Sequence, residues 1–196
     1  MIVSLFEKPF LLRNIFKIEL TNKIIFETKR LIVRQYNFDI DAEGFFLLNG
    51  DEEVMRYIRP AKTREECDVF LKEIITSAEA TPGMGRWAAI EKESGIYIGS
   101  FAIIPIENTQ DIQLGYALLK KHWGKGFASE LTMAGLEYYF STNSAEKIYA
   151  LAEKPNIASH RVLLKNGFVP DGIRKEGDKE LQQFIYSFKR KQKVVD

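Results

Sequence analysis

The sequence predicts a mixed α/β (α+β) fold, with helices on both faces of a central sheet that is mostly antiparallel but contains one parallel pair. Three strand-like segments, at about 86–91, 97–106 and 111–119, follow one another with only short turn signals between them, which favours antiparallel neighbours. A helical pattern from about 126 to 140 then leads to a further strand at about 147–152. Because a strand-helix-strand crossover returns in the same direction, the strands on either side of this helix are predicted to be parallel.

The first half of the chain is predicted to supply one strand and most of the helices. Apolar spacing, helix-start residues and a proline at position 60 indicate a strand, a helix, a short helical turn and a second helix, at about 25–36, 39–48, 52–58 and 63–79. Thr63 and Glu66 have the capping-box spacing for the start of the last of these helices. Its predicted apolar face consists of Val69, Phe70, Ile74 and Ile75.

The second half is predicted to contain the remaining strands and two helices. Two turn signals separate the antiparallel strands, Ser94-Gly95 and Glu107-Asn108. The helix that starts at Gly126 has a predicted apolar face of Phe127, Leu131, Ala134 and Tyr138. Asn156 is the predicted N-cap of a short helix, and Gly167 is the left-handed residue that ends it. The last two strands are predicted at about 168–174 and 181–190.

Composition indicates a soluble protein with one main domain. The 196 residues are 45% hydrophobic and 28% charged, and the formal net charge of +1 gives no electrostatic reason to expect a nucleic-acid partner. Cys67 is the only cysteine, so no intrachain disulfide can form and a reducing, cytoplasmic setting is expected. The only histidines are His122 and His160, too few of the usual ligands for a zinc site, and we expect no metal.

Residues 1–26 are interpreted as an N-terminal extension that precedes a functional domain at 27–191. Its role stays open between an extra strand, a docking arm and a disordered tail. Charged residues interrupt its apolar patches, so neither a transmembrane helix nor a secretory signal is predicted, and no membrane partner is expected. The basic run at 189–193 is expected to be solvated.

The segment from Tyr116 to Glu130 has the layout of a phosphate-binding site: a strand, a loop with two glycines, and a helix. The first amides of a helix have no intrahelical partner and lie at the positive end of the helix dipole, so they attract anions. Gly124 and Gly126 carry no Cβ where a phosphate would approach. The segment therefore predicts that a phosphate-bearing ligand binds between the strand and the helix.

Two other phosphate motifs fit the same residues less well. A nucleotide-hydrolase P-loop needs a glycine where Leu119 stands and a serine or threonine where Gly126 stands. The dinucleotide fingerprint G-x-G-x-x-G is met by Gly124 and Gly126, but Ser129 occupies the third glycine position, although Glu146 lies about 20 residues on. Because several antiparallel strands precede the loop, unlike in a Rossmann domain, this interpretation remains only as an alternative.

A second motif follows the glycine loop, in residues 156–168. The loop contributes Lys121, Gly124 and Gly126, and the second motif contributes Asn156, Ser159, Asn166, Gly167 and Phe168. With these two motifs the chain resembles the GNAT superfamily of acyl-CoA N-acyltransferases, and within it the branch that includes the ribosomal-protein N-terminal acetyltransferases. The resemblance extends over about residues 27–191, and the opening segment 27–34 is similar to the first strand of that branch.

The resemblance implies that acetyl-CoA binds as a co-substrate. In the family the glycine loop binds the pyrophosphate of coenzyme A, and the pantetheine arm follows the preceding strand, which here is the strand of the predicted parallel pair. The residues implied for coenzyme binding are Leu118, Leu119, Lys121, Trp123, Gly124, Lys125, Gly126, Phe127, Ala128, Asn156 and Ser159. The alternative roles are ordinary strand packing for the two leucines and helix capping for Asn156.

The resemblance also implies catalytic roles, since related ribosomal-protein acetyltransferases have a serine at the position of Ser159. Ser159 would protonate the departing thiolate, or else only satisfy amides at the helix start. Many relatives carry a glutamate where this chain has Gln113, which cannot accept a proton at neutral pH. Asp111 lies on the same face of the strand and is the predicted base, acting directly or through water. The alternative carboxylates are Glu153, Glu176 and Asp178.

These observations predict an N-acetyltransferase that moves the acetyl group directly to a primary amine. An amine attacking a thioester needs a base, donors for the carbonyl oxygen and a proton for the thiolate, but neither a cysteine nor a metal. The acceptor is expected to be a small molecule or a protein N-terminus, and the chain a monomer or homodimer. The alternatives are a coenzyme A-binding regulatory module, motivated by Gln113, and the dinucleotide-dependent oxidoreductase.

Overall fold

Eight strands form one sheet in the part of the chain that the structure describes, residues 23–78, 83–177 and 179–188 of a computed structural model. The strands are β1 (Ile24–Glu27), β2 (Leu31–Arg34), β3 (Gly85–Glu91), β4 (Ile96–Pro105), β5 (Ile112–Leu118), β6 (Lys147–Glu153), β7 (Val169–Glu176) and β8 (Lys179–Ser187). The helices within these residues are α1 (Phe38–Asn49), α2 (Glu52–Met55), α3 (Arg64–Ser77), α4 (Phe127–Thr142) and α5 (Ile157–Lys165).

The strand order is β1-β2-β3-β4-β5-β6-β8-β7, and every neighbouring pair is antiparallel except β5 and β6. The predicted mixed sheet, with one parallel pair joined by the crossover through α4, is therefore confirmed. Gln113 lies opposite Tyr149 in the parallel pair. Beyond that point, toward Leu118 and Glu153, the two strands form no further register pairs. The sheet is thus open between β5 and β6 on the side where β5 leads into the glycine loop.

Helices cover both faces of the sheet, as predicted. Successive residues of β3 point to opposite faces, so that Ala89 belongs to one apolar core and Ala88 to the other. The first core joins the sheet to α4, and the second joins it to α1 and α3. The glycine loop leads directly from the open end of β5 into α4, on the first of these two faces.

The prediction of one strand over 25–36 is wrong, because the chain turns between β1 and β2. Thr28 N–H donates to the carbonyl of Leu31 at 2.9 Å, and Leu31 N–H donates back to Thr28 Oγ1 at 2.8 Å. A threonine hydroxyl can satisfy the backbone of a turn in this way. The turn contains Lys29 and Arg30 rather than glycine, proline or asparagine, so the usual turn signals are missing. Strand β1 also begins at Ile24, within the segment interpreted as an extension.

The predicted apolar face of α3 is wrong in part. The buried residues are Cys67, Leu71 and Ile74, whereas Val69 is 58% exposed. The spacing of four and then three residues keeps these buried side chains on one helical face. Val69 falls outside that face because it lies two residues after Cys67. Phe70 and Ile75 are partly buried at the edge, which agrees with the prediction.

The predicted face of α4 is shifted by one position in its second half. Ala134 and Tyr138 are half-buried, whereas Gly135, Leu136, Tyr139 and Phe140 are buried. Gly135 was missed because it has no side chain to count as apolar. A Cβ on Gly135 would lie 2.1 Å from Cζ of Phe101, so its absence lets the helix approach β4 closely.

The helix boundaries that rest on local capping signals are confirmed. Thr63 and Glu66 form the capping box, Asn156 caps α5, and Gly167 follows α5 with φ of 86°. The segments 1–22 and 189–193, the end of the helix predicted to residue 79, and Asp178 lie outside or at the edge of the described residues. No helix among the described residues is long and apolar enough to cross a membrane.

Candidate active site

The glycine loop forms a left-handed entry into α4. After a short 3-10 turn at Lys120–His122, Gly124 has φ of 72° and Gly126, the N-cap of α4, has φ of 81°. No side chain caps the first turn of this 16-residue helix. The amides at the start of α4 are therefore not satisfied by a cap and are directed to the place where the sequence predicts a phosphate.

Backbone conformation, rather than crowding, is what requires glycine in this loop. A Cβ on Gly124 would have no heavy atom within 4 Å, and a Cβ on Gly126 would meet only Nη2 of Arg30, at 3.5 Å. Residues with a Cβ are strained at these positive φ values. Space in front of both glycines is open, as the approach of a phosphate requires.

Arg30 ties the β1-β2 turn to the glycine loop. Its Nη1 donates to the carbonyl of Lys125 at 3.0 Å, its guanidinium lies 4.4 Å above the ring of Phe127, and Nη2 forms an ion pair with Glu130 at 2.6 Å. Thr28 also donates to Glu130, at 2.5 Å. Arg30 was not among the predicted site residues, since its partners are about a hundred residues away in the sequence. The one local sign of such a partner was Glu130, an acidic residue in the first turn of a helix that has no side-chain cap.

The other residues predicted to bind the coenzyme surround this loop. Leu118 and Leu119 are both buried, but their side chains belong to opposite cores. Trp123 is 44% exposed and its indole N–H donates to the carbonyl of Leu118 at 2.7 Å. The remaining loop residues are the exposed Lys121 and Lys125, the buried Phe127 and the half-buried Ala128.

His122 is an unforeseen feature of the same loop. Its side chain is buried, with 6% of the residue exposed, and neither ring nitrogen has a hydrogen-bond partner among the described residues. Burial lowers the pKa of His122, and the neighbouring charges of Lys125 and Lys121 lower it further. The ring is therefore held neutral within a basic loop.

Ser159 faces β5 across the open part of the sheet. Ser159 lies in the first turn of α5, after β6, and its Oγ is 3.3 Å from the hydroxyl of Tyr116 on β5. Burial raises the pKa of Tyr116 to about 12, although the hydrogen bond with Ser159 acts in the opposite direction, so the phenol is protonated at neutral pH. The hydroxyl pair thus connects β5 to the first turn of α5, the helix that follows β6.

The helix-capping role is performed by Asn156 rather than by Ser159. The side-chain oxygen of Asn156 accepts from the amide of Ser159 at 3.1 Å. The interpretation of Ser159 as a residue that satisfies helix amides therefore receives no support from its side-chain contacts, because its hydroxyl bonds to Tyr116. Of the two roles considered for Asn156, capping is the one seen.

The candidate bases lie apart from the hydroxyl pair. Asp111 precedes β5 and contacts Arg174 at 3.4 Å and Lys147 at 4.0 Å. It is five residues before Tyr116, or roughly 16 Å along an extended strand. Glu153 forms an ion pair with Lys179 at 2.5 Å. The other two alternatives are Glu176, which is exposed, and Asp178, which is outside the described residues.

Cys67 has the environment of a packing residue rather than of a nucleophile. It lies on α3 and is fully buried in the core, and burial raises the pKa of its thiol. Among residues 23–78, 83–177 and 179–188, no group of three or more His, Cys, Asp or Glu side chains could hold a metal ion.

Comparison with known proteins gives the same family as the motifs. Residues 30–169 match the family model described as Acetyltransferase (GNAT) domain. The chain is 30% identical over 165 residues to the uncharacterized N-acetyltransferase YoaA of Bacillus subtilis (strain 168), covering 83% of this chain and 88% of that one.

Solved structures have the same fold. The ribosomal L7/L12 alpha-N-protein acetyltransferase RimL matches with a TM-score of 0.70 and 17% identity, over 85% of this chain and 95% of its own. Spermidine N-acetyltransferase from Vibrio cholerae, in complex with CoA and spermine, matches with a TM-score of 0.67 and 20% identity, over 82% of this chain and 96% of its own. The family model and the relative from Bacillus subtilis favour an acetyltransferase over the dinucleotide-dependent oxidoreductase.

Proposed function

Because the chain belongs to the GNAT acetyltransferase family, we propose that it moves the acetyl group of acetyl-CoA directly to a primary amine, without an acyl-enzyme. The observation that carries the proposal is the arrangement around the open end of β5. An uncapped helix start and two left-handed glycines lie at one end of this opening, and the Tyr116-Ser159 hydroxyl pair bridges it. Anion binding and proton donation can therefore serve the same ligand.

In this proposal the loop binds the coenzyme through its backbone. The amides from Trp123 to Ala128 donate to the pyrophosphate, and the side chains of Lys121 and Lys125 add positive charge. Arg30 contributes by holding the carbonyl of Lys125 and the ring of Phe127, which keeps the loop in its binding conformation. The backbone groups of Leu118 and Leu119 line the pantetheine arm, where β5 forms no further register pair with β6.

Ser159 supplies the proton for the departing thiolate. The amine nitrogen forms a bond to the acetyl carbonyl carbon, the carbon-sulfur bond breaks, and Ser159 gives its proton to sulfur. The hydrogen bond to Tyr116 supports this role, because a protonated phenol can donate to the serine oxygen and stabilise it until Ser159 takes up a new proton from water. Asn156 contributes by fixing the start of α5, from which Ser159 projects.

Asp111 takes the proton from the amine through a chain of water molecules, since roughly 16 Å of extended strand separates it from Tyr116. It is on the same face of the strand as Gln113, which stands at the usual position of the acid and lies where β5 and β6 pair. The presence of glutamine there also favours the second candidate function, a coenzyme A-binding module with weak catalysis. Thiol release from acetyl-CoA with a panel of amines separates an enzyme from such a module.

The coenzyme site is tested with Gly126→Val and the matched variant Gly172→Val. Both glycines are exposed and left-handed, with φ of 81° and 85°, but Gly172 is on the edge strand β7. Both variants should lose stability, by roughly 1–2 kcal/mol or more, because valine is strained at these dihedral angles. Only Gly126→Val should weaken acetyl-CoA binding, by about tenfold or more in calorimetry. Unchanged affinity in a folded Gly126→Val protein would overturn the site.

A further inference from the structure

Three cationic side chains surround one aromatic ring on the face of the sheet that is covered by α1 and α3. The guanidinium carbons of Arg59 and Arg86 lie 5.1 and 5.9 Å from the centre of the Phe70 ring, and Nζ of Lys62 lies 5.7 Å from it. We call Arg59, Lys62 and Arg86 the basic cluster. Among the described residues, no carboxylate forms an ion pair with any of the three.

The two arginines of the basic cluster are half-buried and incompletely bonded. Arg59 donates from Nη2 to the buried Asn49 at 2.5 Å, but its buried Nε has no partner among the described residues. Burial lowers the pKa of both arginines, and the charge of Arg59 lowers that of Arg86 further. Contacts with an aromatic face stabilise a cation but do not neutralise it.

Arg34 shows how the same fold treats an arginine whose role is structural. It is buried on β2 and its Nε, like that of Arg59, has no partner among the described residues, but Asp41 of α1 binds its guanidinium through two hydrogen bonds, at 2.8 and 2.9 Å. A half-buried pair of like charges without such a carboxylate is costly, because burial removes solvation and the charges repel. An anionic ligand bound to Arg59 and Arg86 would remove that cost.

The basic cluster lies beside the open part of β5. Arg86 is opposite Ala102 on β4, which is opposite Gly115 on β5, and residues opposite one another in a sheet share a face. Two strand spacings, about 10 Å, separate the backbones of Arg86 and Gly115. The residues between them are small, and a Cβ on Gly115 would have no heavy atom within 4 Å. On this face the surface from the basic cluster to Gly115 is therefore lined by small side chains, whereas Tyr116, the next residue, packs on the opposite face of the sheet.

We propose that the acceptor is a small amine that also carries an oxyanion, a carboxylate or a phosphate, which Arg59 and Arg86 bind while the amine lies toward Gly115. The inference rests on the proposed acetyltransferase function and deepens it. Guanidinium groups bind both oxyanions through paired hydrogen bonds. The same charges repel a polyamine, so the acceptor class differs from the one named for the Vibrio cholerae enzyme.

Matched pairs of amines test this proposal. The probes are the common amino acids with their α-amides, glucosamine 6-phosphate with glucosamine, and spermidine. We expect kcat/KM to be about 10- to 100-fold higher for the anionic member of at least one pair. The amino acids and the sugar phosphate distinguish a carboxylate from a phosphate. Equal or faster transfer to the neutral members, or a preference for spermidine, would refute the proposal.

Variants then assign the preference to the basic cluster. Arg86→Gln and Arg59→Gln should lower kcat/KM for the anionic member more than for the neutral member, and so remove the preference between them. Arg56→Gln is the matched control, because Arg56 is exposed and only contacts the ring of Tyr57. If Arg86→Gln does not fold, Arg86→Lys keeps the charge but loses the paired geometry and should weaken the preference. A preference that survives all of these changes would contradict the assignment.

A binding measurement separates this proposal from the proposed function. In the presence of coenzyme A, the anionic probes should raise the melting temperature of the wild-type protein but not that of Arg86→Gln. No stabilisation by any anionic probe overturns the oxyanion site, while acetyl transfer to neutral amines would leave the enzyme assignment intact. Conversely, stabilisation that depends on Arg86, without acetyl transfer to any amine, would support the oxyanion site and contradict the proposed acetyltransferase function.

Discussion

At the scale of single residues, the hydroxyl of Ser159 does not cap the helix to which it belongs. The helix amide nearest to it is already satisfied by Asn156, so the hydroxyl is available to Tyr116. Both Asn156 and Ser159 could be predicted from the sequence, because they belong to one motif within a short segment. The partner on β5 and the loop contact of Arg30 depend on which strands become neighbours, and no local pattern contains that information.

Ser159→Ala should therefore affect turnover more than folding. Loss of the proton donor should lower kcat by an amount on the order of 10²-fold, the low end for acid-base catalysis, with little change in acetyl-CoA affinity. Steady-state kinetics and calorimetry on the same preparation provide the measurement. Tyr116→Phe removes only the hydroxyl partner and should have a smaller effect on kcat. Wild-type kcat in Ser159→Ala would reduce the residue to a structural role.

Cys67→Ala tests whether an acyl-enzyme is formed. The buried thiol has a raised pKa, so the variant should retain most activity and lose roughly 1 kcal/mol of stability from the smaller side chain. Initial rates with both substrates varied should give intersecting lines, as expected for a ternary complex. Parallel lines together with an acetylated Cys67 in mass spectrometry would contradict direct transfer.

At the scale of elements, predictions succeeded where a few adjacent residues decide the outcome. The capping residues Thr63 and Asn156 mark helix starts because their side chains bond to nearby amides. The apolar faces of α3 and α4 were less predictable, since burial depends on what each helix packs against. At Gly135, the deciding feature is a neighbouring phenylalanine on another element.

Gly135→Ala should destabilise the protein although alanine is the better helix former. The gain in helix propensity is about 1 kcal/mol, whereas the added methyl group would collide with the ring of Phe101, and overpacking of a core costs about 1–3 kcal/mol. Denaturant unfolding gives the free energy of each variant. In the double variant Gly135→Ala with Phe101→Leu, the two changes should cost less than their sum. Strict additivity would mean that the close contact does not limit the packing of α4.

At the scale of the whole molecule, the sheet topology followed from the short turns and from one crossover helix. Both are visible in the sequence because turn length and handedness restrict how strands can connect. The extra strand β1 and the basic cluster could not be predicted from the sequence. Their residues form no pattern within their own segments. They are defined by contacts in the folded chain, where β1 pairs with β2 and where Arg86 and Arg59 lie over the same ring.

The stability of the whole molecule should fall as the pH drops below about 6.5, the ordinary pKa of histidine. His122 has a lower pKa in the folded state than in the unfolded chain, so the unfolded chain binds the proton more readily in that range. The contribution of His122 to the free energy of unfolding is complete at pH values above its pKa in the unfolded chain. It is lost as the pH falls toward the lower pKa of the folded state. Urea unfolding between pH 5 and 8 measures this dependence.

His122→Gln should reduce that dependence, because it removes the buried ring whose protonation is linked to folding. An unchanged slope in His122→Gln would show that protonation of this ring is not linked to folding.

The Thr28–Arg30 turn has a consequence for how this chain can vary in length. Hairpin tips commonly tolerate insertions, and related proteins differ most in their loops. This tip is an exception, because an added residue would withdraw Arg30 from the carbonyl of Lys125, 95 positions away, and from Glu130. Natural insertions, or a peptide tag added for labelling, should be accepted more readily at the exposed β3-β4 tip around Glu93.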